Sequence, residues 1–189
     1  MIDSSLLGNY ARQMSEALAL LPLGPIEELA NDFIRVRDAG RSVWICGNGG
    51  SAANAVHWGN DFIYPVVKQG GPGVRIQSLS ANPAVLTCLG NDIGYDLIYA
   101  RQLETFGVAG DVLVVLSGSG NSPNILKVME QARKQGIKSF ALVGFDGGKA
   151  KGLADRAIHL PGDDMQVAED LQMVVCHMLV KALEAAFRI

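Results

Sequence analysis

Asp111–Leu116, DVLVVL, runs directly into Ser117-Gly118-Ser119-Gly120-Asn121-Ser122-Pro123, and this junction decides how the chain is read. A short run of valine and leucine bounded by polar residues predicts a strand buried on both faces. Pro123 suits the first turn of a helix, which the spacing carries to about Gln135 before Gly136 ends it. Strand, turn and helix start thus converge on one point. Glycines allow close backbone approach there, serine hydroxyls can donate, and the positive end of a helix dipole favours an anion. Ser117, Gly118, Ser119 and Ser122 are therefore candidate contacts for a phosphate. The plainer alternative is a polar turn capped by Ser122, although the loop carries more hydroxyls and glycines than a turn requires.

The same alternation extends in both directions. Lys138–Val143 and Ala157–Leu160 read as further strands, and Gln166–Phe187 as a long closing helix. Upstream, Ser42–Cys46 is a short buried strand ending in Gly47-Asn48-Gly49-Gly50, with Ser51 placed to cap a helix to about Phe62. Val74–Gln77 is a second strand, followed by a helix through Leu89. Asn91-Asp92-Ile93-Gly94 breaks that helix, and Tyr95–Phe106 resumes one. Residues 1–40 are helical: Leu6, Leu7, Tyr10, Met14, Leu18 and Leu21 recur at helical spacing, as do Ile26, Leu29, Phe33 and Ile34. Strand–helix alternation with short connections predicts an α/β fold with a mostly parallel sheet covered on both faces. One domain over 1–189 is expected, with 1–40 as a helical extension and 41–189 as the α/β core. Ligands of such sheets bind beyond the carboxyl ends of the strands, where both glycine-rich loops sit.

Composition narrows the function. The chain is 49% hydrophobic and 19% charged, with a formal net charge of −3. That balance suits a packed core and gives no field for nucleic acid. No apolar run approaches the roughly 20 residues that span a bilayer, and the N-terminal residues lack a signal-peptide pattern. A cytoplasmic protein with no membrane or nucleic-acid partner is expected. Cys46, Cys88 and Cys176 lie far apart in apolar runs and read as buried, inert thiols.

The first loop, Gly47–Ser51, has neither the lysine of a P-loop nor a G-x-G-x-x-G spacing, which argues against a nucleotide cofactor. On the following helix His57 and Asp61 stand four residues apart and share a face. Such a pair can bind a metal, act as an acid/base couple, or form a surface hydrogen bond. On the closing helix, Leu171, Val174, Val175, Met178, Leu179, Ala182 and Ala186 make one apolar stripe. Met173, Cys176 and Val180 make a second on the opposite side. His177 flanks the second stripe, with Asp170 about 20° and Glu169 about 80° away around the helix. A histidine so placed is either a satisfied wall residue or part of a site.

At this point the sequence resembles the phosphoheptose isomerases, a family of sugar-isomerase (SIS) domains. The motifs that carry the resemblance are Cys46-Gly47-Asn48-Gly49-Gly50-Ser51-Ala52-Ala53 with His57, Gly90-Asn91-Asp92, Ser117 through Asn124, and Gly144-Phe145-Asp146-Gly147-Gly148-Lys149. The resemblance implies a three-layer α/β/α sandwich, assembled as a homotetramer with active sites at subunit interfaces. It also implies isomerisation of sedoheptulose 7-phosphate to an aldose heptose 7-phosphate, a step towards lipopolysaccharide or capsule heptose. Ser117, Ser119 and Ser122 would bind phosphate, with Asn48, Gly49 and Ser51 of the first loop, Gly118, Asp92 and Glu169 also on the substrate. Asp61 and His177 would be catalytic. Family members that bind zinc do so from the positions of His57, Asp61, Glu169 and His177.

The chain departs from the family pattern in places. The catalytic glutamate is Asp61, a glutamine is Glu169, and an arginine and an aspartate stand as Pro65 and Gln166. These changes keep a second reading open: a non-catalytic SIS scaffold that binds phosphosugar or protein, similar to the replication-initiator-associating proteins. A SIS sensor of a transcription factor would need a basic helix-turn-helix, which this sequence lacks.

Overall fold

The computed structural model of the chain describes residues 3–67 and 71–187; the side chain of Pro65 lies outside that set. Among these residues five strands form one sheet: β1 (Val43–Gly47), β2 (Ile76–Ser78), β3 (Val112–Ser117), β4 (Lys138–Val143) and β5 (Arg156–His159). Their order is β2-β1-β3-β4-β5, and every pairing is parallel. Among the described residues eight α-helices accompany them: α1 (Ser4–Ala19), α2 (Leu23–Asp38), α3 (Gly50–Ile63), α4 (Pro83–Asp92), α5 (Ala100–Phe106), α6 (Pro123–Gln135), α7 (Gly148–Leu153) and α8 (Met165–Ala186).

Side-chain alternation along the strands builds three layers. Val43, Ile45, Val112, Val114, Leu116, Phe140 and Leu142 pack against α2, α3 and α8. Their neighbours Trp44, Cys46, Leu113, Val115, Ala141 and Val143 pack against α5, α6 and α7. The period-two switch of faces explains why these strands are apolar throughout. Asp111 stands just before β3, nearly inaccessible, and accepts hydrogen bonds from Ser42 N, Trp44 Nε1 and Val108 N. It locks the start of β1 to the start of β3 by compensating its own burial.

The first two helices differ in depth. Leu29, Phe33 and Val36 of α2 are wholly buried under the sheet, so the core reaches into the first forty residues. On α1, Ala17 is the one buried residue, while Leu6 and Leu7 are exposed. Tyr10 Oη pins α1 to α8 by donating to Asp170 Oδ2 at 2.6 Å. Burial first, then Asp170, pushes the Tyr10 phenol up to about 12.

Several local expectations shift. The second strand is Ile76–Ser78 rather than Val74–Gln77, and the last begins at Arg156. The helix expected over Tyr95–Phe106 splits into a 3-10 turn at Tyr95–Leu97 and α5, because Tyr99 turns into the core to reach the first loop. The two opposed stripes on α8 are one broad buried arc that includes Cys176, Val180 and fully buried Gln172, while Ala182 and Ala186 are exposed. Gln172 belongs inside because Asn54 and Ser51 satisfy its amide. Cys46 and Cys176 are buried as expected. Cys88 is exposed, since α4 buries none of its residues.

Candidate active site

The sheet order changes direction between β1 and β3, and the loops leaving those strands lie side by side at their carboxyl ends. Between them opens a cleft of about 300 Å³ lined by Asn48, Gly49, Ser51, Ser117, Gly118, Ser119, Ser122, Met165 and Glu169. Nearly the whole substrate-contact set expected from sequence therefore meets in one place. Asp92 does not: it ends α4, where it accepts from Asn91 Nδ2 and the Cys88 thiol.

The second loop is shaped to donate. Ser117 Oγ accepts from Gly120 N and Ser119 Oγ from Asn121 N, which leaves each hydroxyl hydrogen free to point into the cleft. Ser122 occupies the N-cap position of α6, yet its side chain makes no capping bond. The plain-turn alternative needed that bond. Gly120 holds φ at 63°, and a Cβ there would fall 2.0 Å from the Gly147 carbonyl oxygen. That carbonyl belongs to Gly144–Lys149, which backs the loop through Gly144 N to Gly118 O and Lys149 N to Asn121 Oδ1. A glycine is required where two backbones touch.

Ser51 does not cap α3. The N-cap is Gly49 and Ser51 lies within the helix, where its N–H donates to Glu169 Oε1 at 3.1 Å. A carboxylate at a helix N-terminus is electrostatically favoured. Glu169 is pressed so close that a Cβ on Gly50 would lie 2.2 Å from Oε2. Glu169 thus fills the anion position of the first loop with the chain's own charge.

At the other end of α3, Asp61 is the centre of a cluster. His57 Nε2 lies 3.2 Å and His177 Nε2 3.6 Å from Asp61 Oδ2, with the two imidazole rings 5.6 Å apart. The Asp61 side chain is 12% exposed, whereas His57 and His177 are 48% and 59% exposed. Donor atoms of the three all lie within 4.8 Å of one another. Two imidazoles and a carboxylate are a sound donor set for zinc with an open position. Glu169 is not part of this cluster: eight residues before His177, it stands about 12 Å back along α8 and is engaged by Ser51. Of the four residues that the resemblance implies for a metal, three come together here. Burial first and Asp61 second push the nearby Cys176 thiol up, so it stays neutral and offers no thiolate.

Sequence reasoning passed over Asn124 except as part of a motif, and it passed over Tyr95, Tyr99 and Gln172 entirely. All four hold the site rather than line it. A polar residue inside an apolar helix stripe, as at Asn124 and Gln172, was the available signal.

Comparison with known proteins agrees with this architecture. A family model described as the SIS domain matches residues 9–144. The phosphoheptose isomerase of Fusobacterium nucleatum is 34% identical over 160 residues, covering 84% of this chain and 80% of that protein. One from Helicobacter pylori is 40% identical over 147 residues, covering 77% and 75%. The solved structure of a phosphoheptose isomerase from Francisella tularensis superposes with a TM-score of 0.91 at 26% identity, covering 98% of this chain and all of that one.

Proposed function

The chain belongs to the SIS-domain family and, within it, to the phosphoheptose isomerases, and from that membership we propose that it interconverts sedoheptulose 7-phosphate and an aldose heptose 7-phosphate. The observation that carries the reading is the gathering of His57 and His177 around Asp61 on α3, the helix whose other end borders the serine-lined cleft.

Aldose–ketose exchange moves one proton between C1 and C2 and another between O1 and O2, through an enediol. In this reading Ser117, Ser119 and Ser122 anchor the phosphate. The Asp61 carboxylate takes a proton from C1 of the ketose while His177 gives one to O2, forming the enediol. His177 then recovers the O1 proton and Asp61 returns its proton to C2, leaving an aldehyde at C1 and both groups as they began. His57 orients Asp61 from 3.2 Å. Asp61, His57 and His177 are also a set that would hold a zinc ion, which when bound would supply Lewis-acid stabilisation of charge on the substrate oxygens in place of proton transfer by the atoms that ligate it.

The reading includes assembly. Ser51 and Asp61 are separated by about 15 Å of helix, so within one copy the phosphate loop and the cluster stand well apart. The exposed apolar residues Leu6 and Leu7 on α1, and Val56 and Ile63 on the outer side of α3, give neighbouring copies faces on which to meet. A homotetramer with sites completed between subunits accommodates both facts. The product class would feed cell-surface heptose synthesis.

The test is direct. The protein is incubated with sedoheptulose 7-phosphate and the aldose followed by NMR, with solution mass from light scattering. Appearance of the aldose heptose 7-phosphate is expected. Binding of the phosphosugar without any turnover would instead favour the non-catalytic scaffold.

A further inference from the structure

Asn124 is the second residue of α6 and is 1% exposed, a complete carboxamide enclosed between α6 and the first loop. Its partner is the carboxamide of Asn48. Asn124 Nδ2 donates to Asn48 Oδ1 at 2.8 Å, and Asn48 Nδ2 donates back to Asn124 Oδ1 at 2.9 Å. This closed pair of hydrogen bonds joins the loop after β1 to the helix that follows the phosphate loop.

Two tyrosines complete the setting. Tyr95 Oη donates to Asn48 Oδ1 at 3.0 Å. Tyr99, 2% exposed, donates its hydroxyl to the Gly47 carbonyl and lies 3.3 Å from Asn48 Oδ1, with Ser80 Oγ 3.2 Å away as its own donor. The Asn48 oxygen is therefore fully engaged by protein donors. Its amide nitrogen carries two hydrogens, and among the described residues one of them has an acceptor, Asn124 Oδ1. The other belongs to a side chain that lines the cleft.

We propose that Asn124, Tyr95 and Tyr99 are positioning residues that fix the Asn48 amide as a pure hydrogen-bond donor towards the sugar oxygens of the bound phosphosugar. Because Asn124 follows Ser122 by two residues, the same short segment sets both the phosphate seat and the direction of this donor. A flipped Asn48 would present its oxygen to the cleft and set its nitrogen against Asn124 Nδ2 and its oxygen against Asn124 Oδ1, replacing both attractions with repulsion between like groups. The inference rests on the isomerase reading for its substrate, and its test separates the two.

The experiment compares wild type, Asn124→Ala and Tyr95→Phe for kcat and KM on sedoheptulose 7-phosphate, for inhibition by inorganic phosphate, and for Tm. Phosphate alone reports the serine loop and not Asn48. Asn124→Ala is expected to lower kcat/KM by about ten-fold or more, and Tyr95→Phe by about three-fold, from the loss of partners that hold the half-buried Asn48 amide. Phosphate inhibition should stay within about two-fold in both, since the serine hydroxyls are untouched. Tyr95 lies on an exposed turn, so its variant remains informative even if Asn124→Ala fails to fold. Unchanged kcat/KM in Tyr95→Phe, or loss of phosphate affinity in step with KM, would overturn the positioning role while leaving the isomerase intact. Should wild type bind the phosphosugar without turnover, its dissociation constant replaces kcat/KM and must show the same split. A wild type that neither binds nor turns over the phosphosugar removes the isomerase reading and this inference with it.

Discussion

At its N-terminal end α3 is enclosed by polar partners brought from far along the chain: Glu169 takes the Ser51 N–H, and Gln172 donates to Ser51 Oγ. At its C-terminal end Asp61 meets two imidazoles that are half open to solvent. The first end is tied down by hydrogen bonds within the chain itself. The second is assembled from two neighbouring helices and remains free to exchange protons. A site that must hold one part of a molecule still while changing another needs both kinds of construction.

The contrast is broken most severely at the open end. Asp61→Asn and His177→Ala should each lower kcat by about 100- to 10,000-fold, the usual worth of a positioned acid or base. Phosphate inhibition should be unaffected. If both retain full rate, the assignment of proton transfer to this cluster fails.

Next in size comes the enclosed end. Gly120→Ala places a methyl against the Gly147 carbonyl at a positive φ. A cost of about 2–4 kcal/mol in stability is expected, visible as a lowered denaturant midpoint, together with weakened phosphate inhibition. Normal stability would show that the two loops part more easily than their contact suggests.

Glu169→Gln probes the boundary between the two ends. The amide oxygen can still accept from Ser51, but the charge on the cleft wall disappears. Phosphosugar affinity should rise about two- to five-fold, more at low salt, as expected for removal of a partly screened like charge. Reduced affinity would mean that the carboxylate grips the sugar hydroxyls more than it repels the phosphate.

The smallest effect lies outside both ends. The Cys88 thiol donates to Asp92, and that hydrogen bond first, then the Asp92 charge, raises it above the ordinary thiol value. Because the thiolate is the reactive form, alkylation of native protein near neutral pH should be slow, should accelerate as pH rises, and should be confined to Cys88. Asp92→Asn should speed it about two- to three-fold by removing the negative charge. Modification of Cys46 or Cys176 in folded protein would contradict their burial.

What could be read from the residues follows from locality. β1, β3 and β4 were legible because burial on both faces leaves an unbroken apolar run, and the serine loop because its chemistry is contiguous. The role of Ser51 was not legible: whether it caps α3 is decided by Glu169, 118 residues away. Cys88 sits in a sequence as apolar as a core helix, and its exposure reflects where α4 lies relative to the sheet. A helical wheel sets Gln172 among apolar residues, but the partners that satisfy its amide there are on another helix and outside the wheel's reach. The family resemblance grouped Glu169 with the metal donors, where distance along α8 separates them.

The buried Asp111, which receives the Ser42 N–H from 69 residues earlier, has a consequence in time. The contact it seals begins the pairing of β1 with β3, and the two loops cannot face one another until that long closure has been made. Parallel strands so far apart in sequence pair slowly. The cleft is therefore a late product of folding, and phosphate added to refolding chains should protect the finished molecule by slowing unfolding while leaving the rate of its formation unchanged.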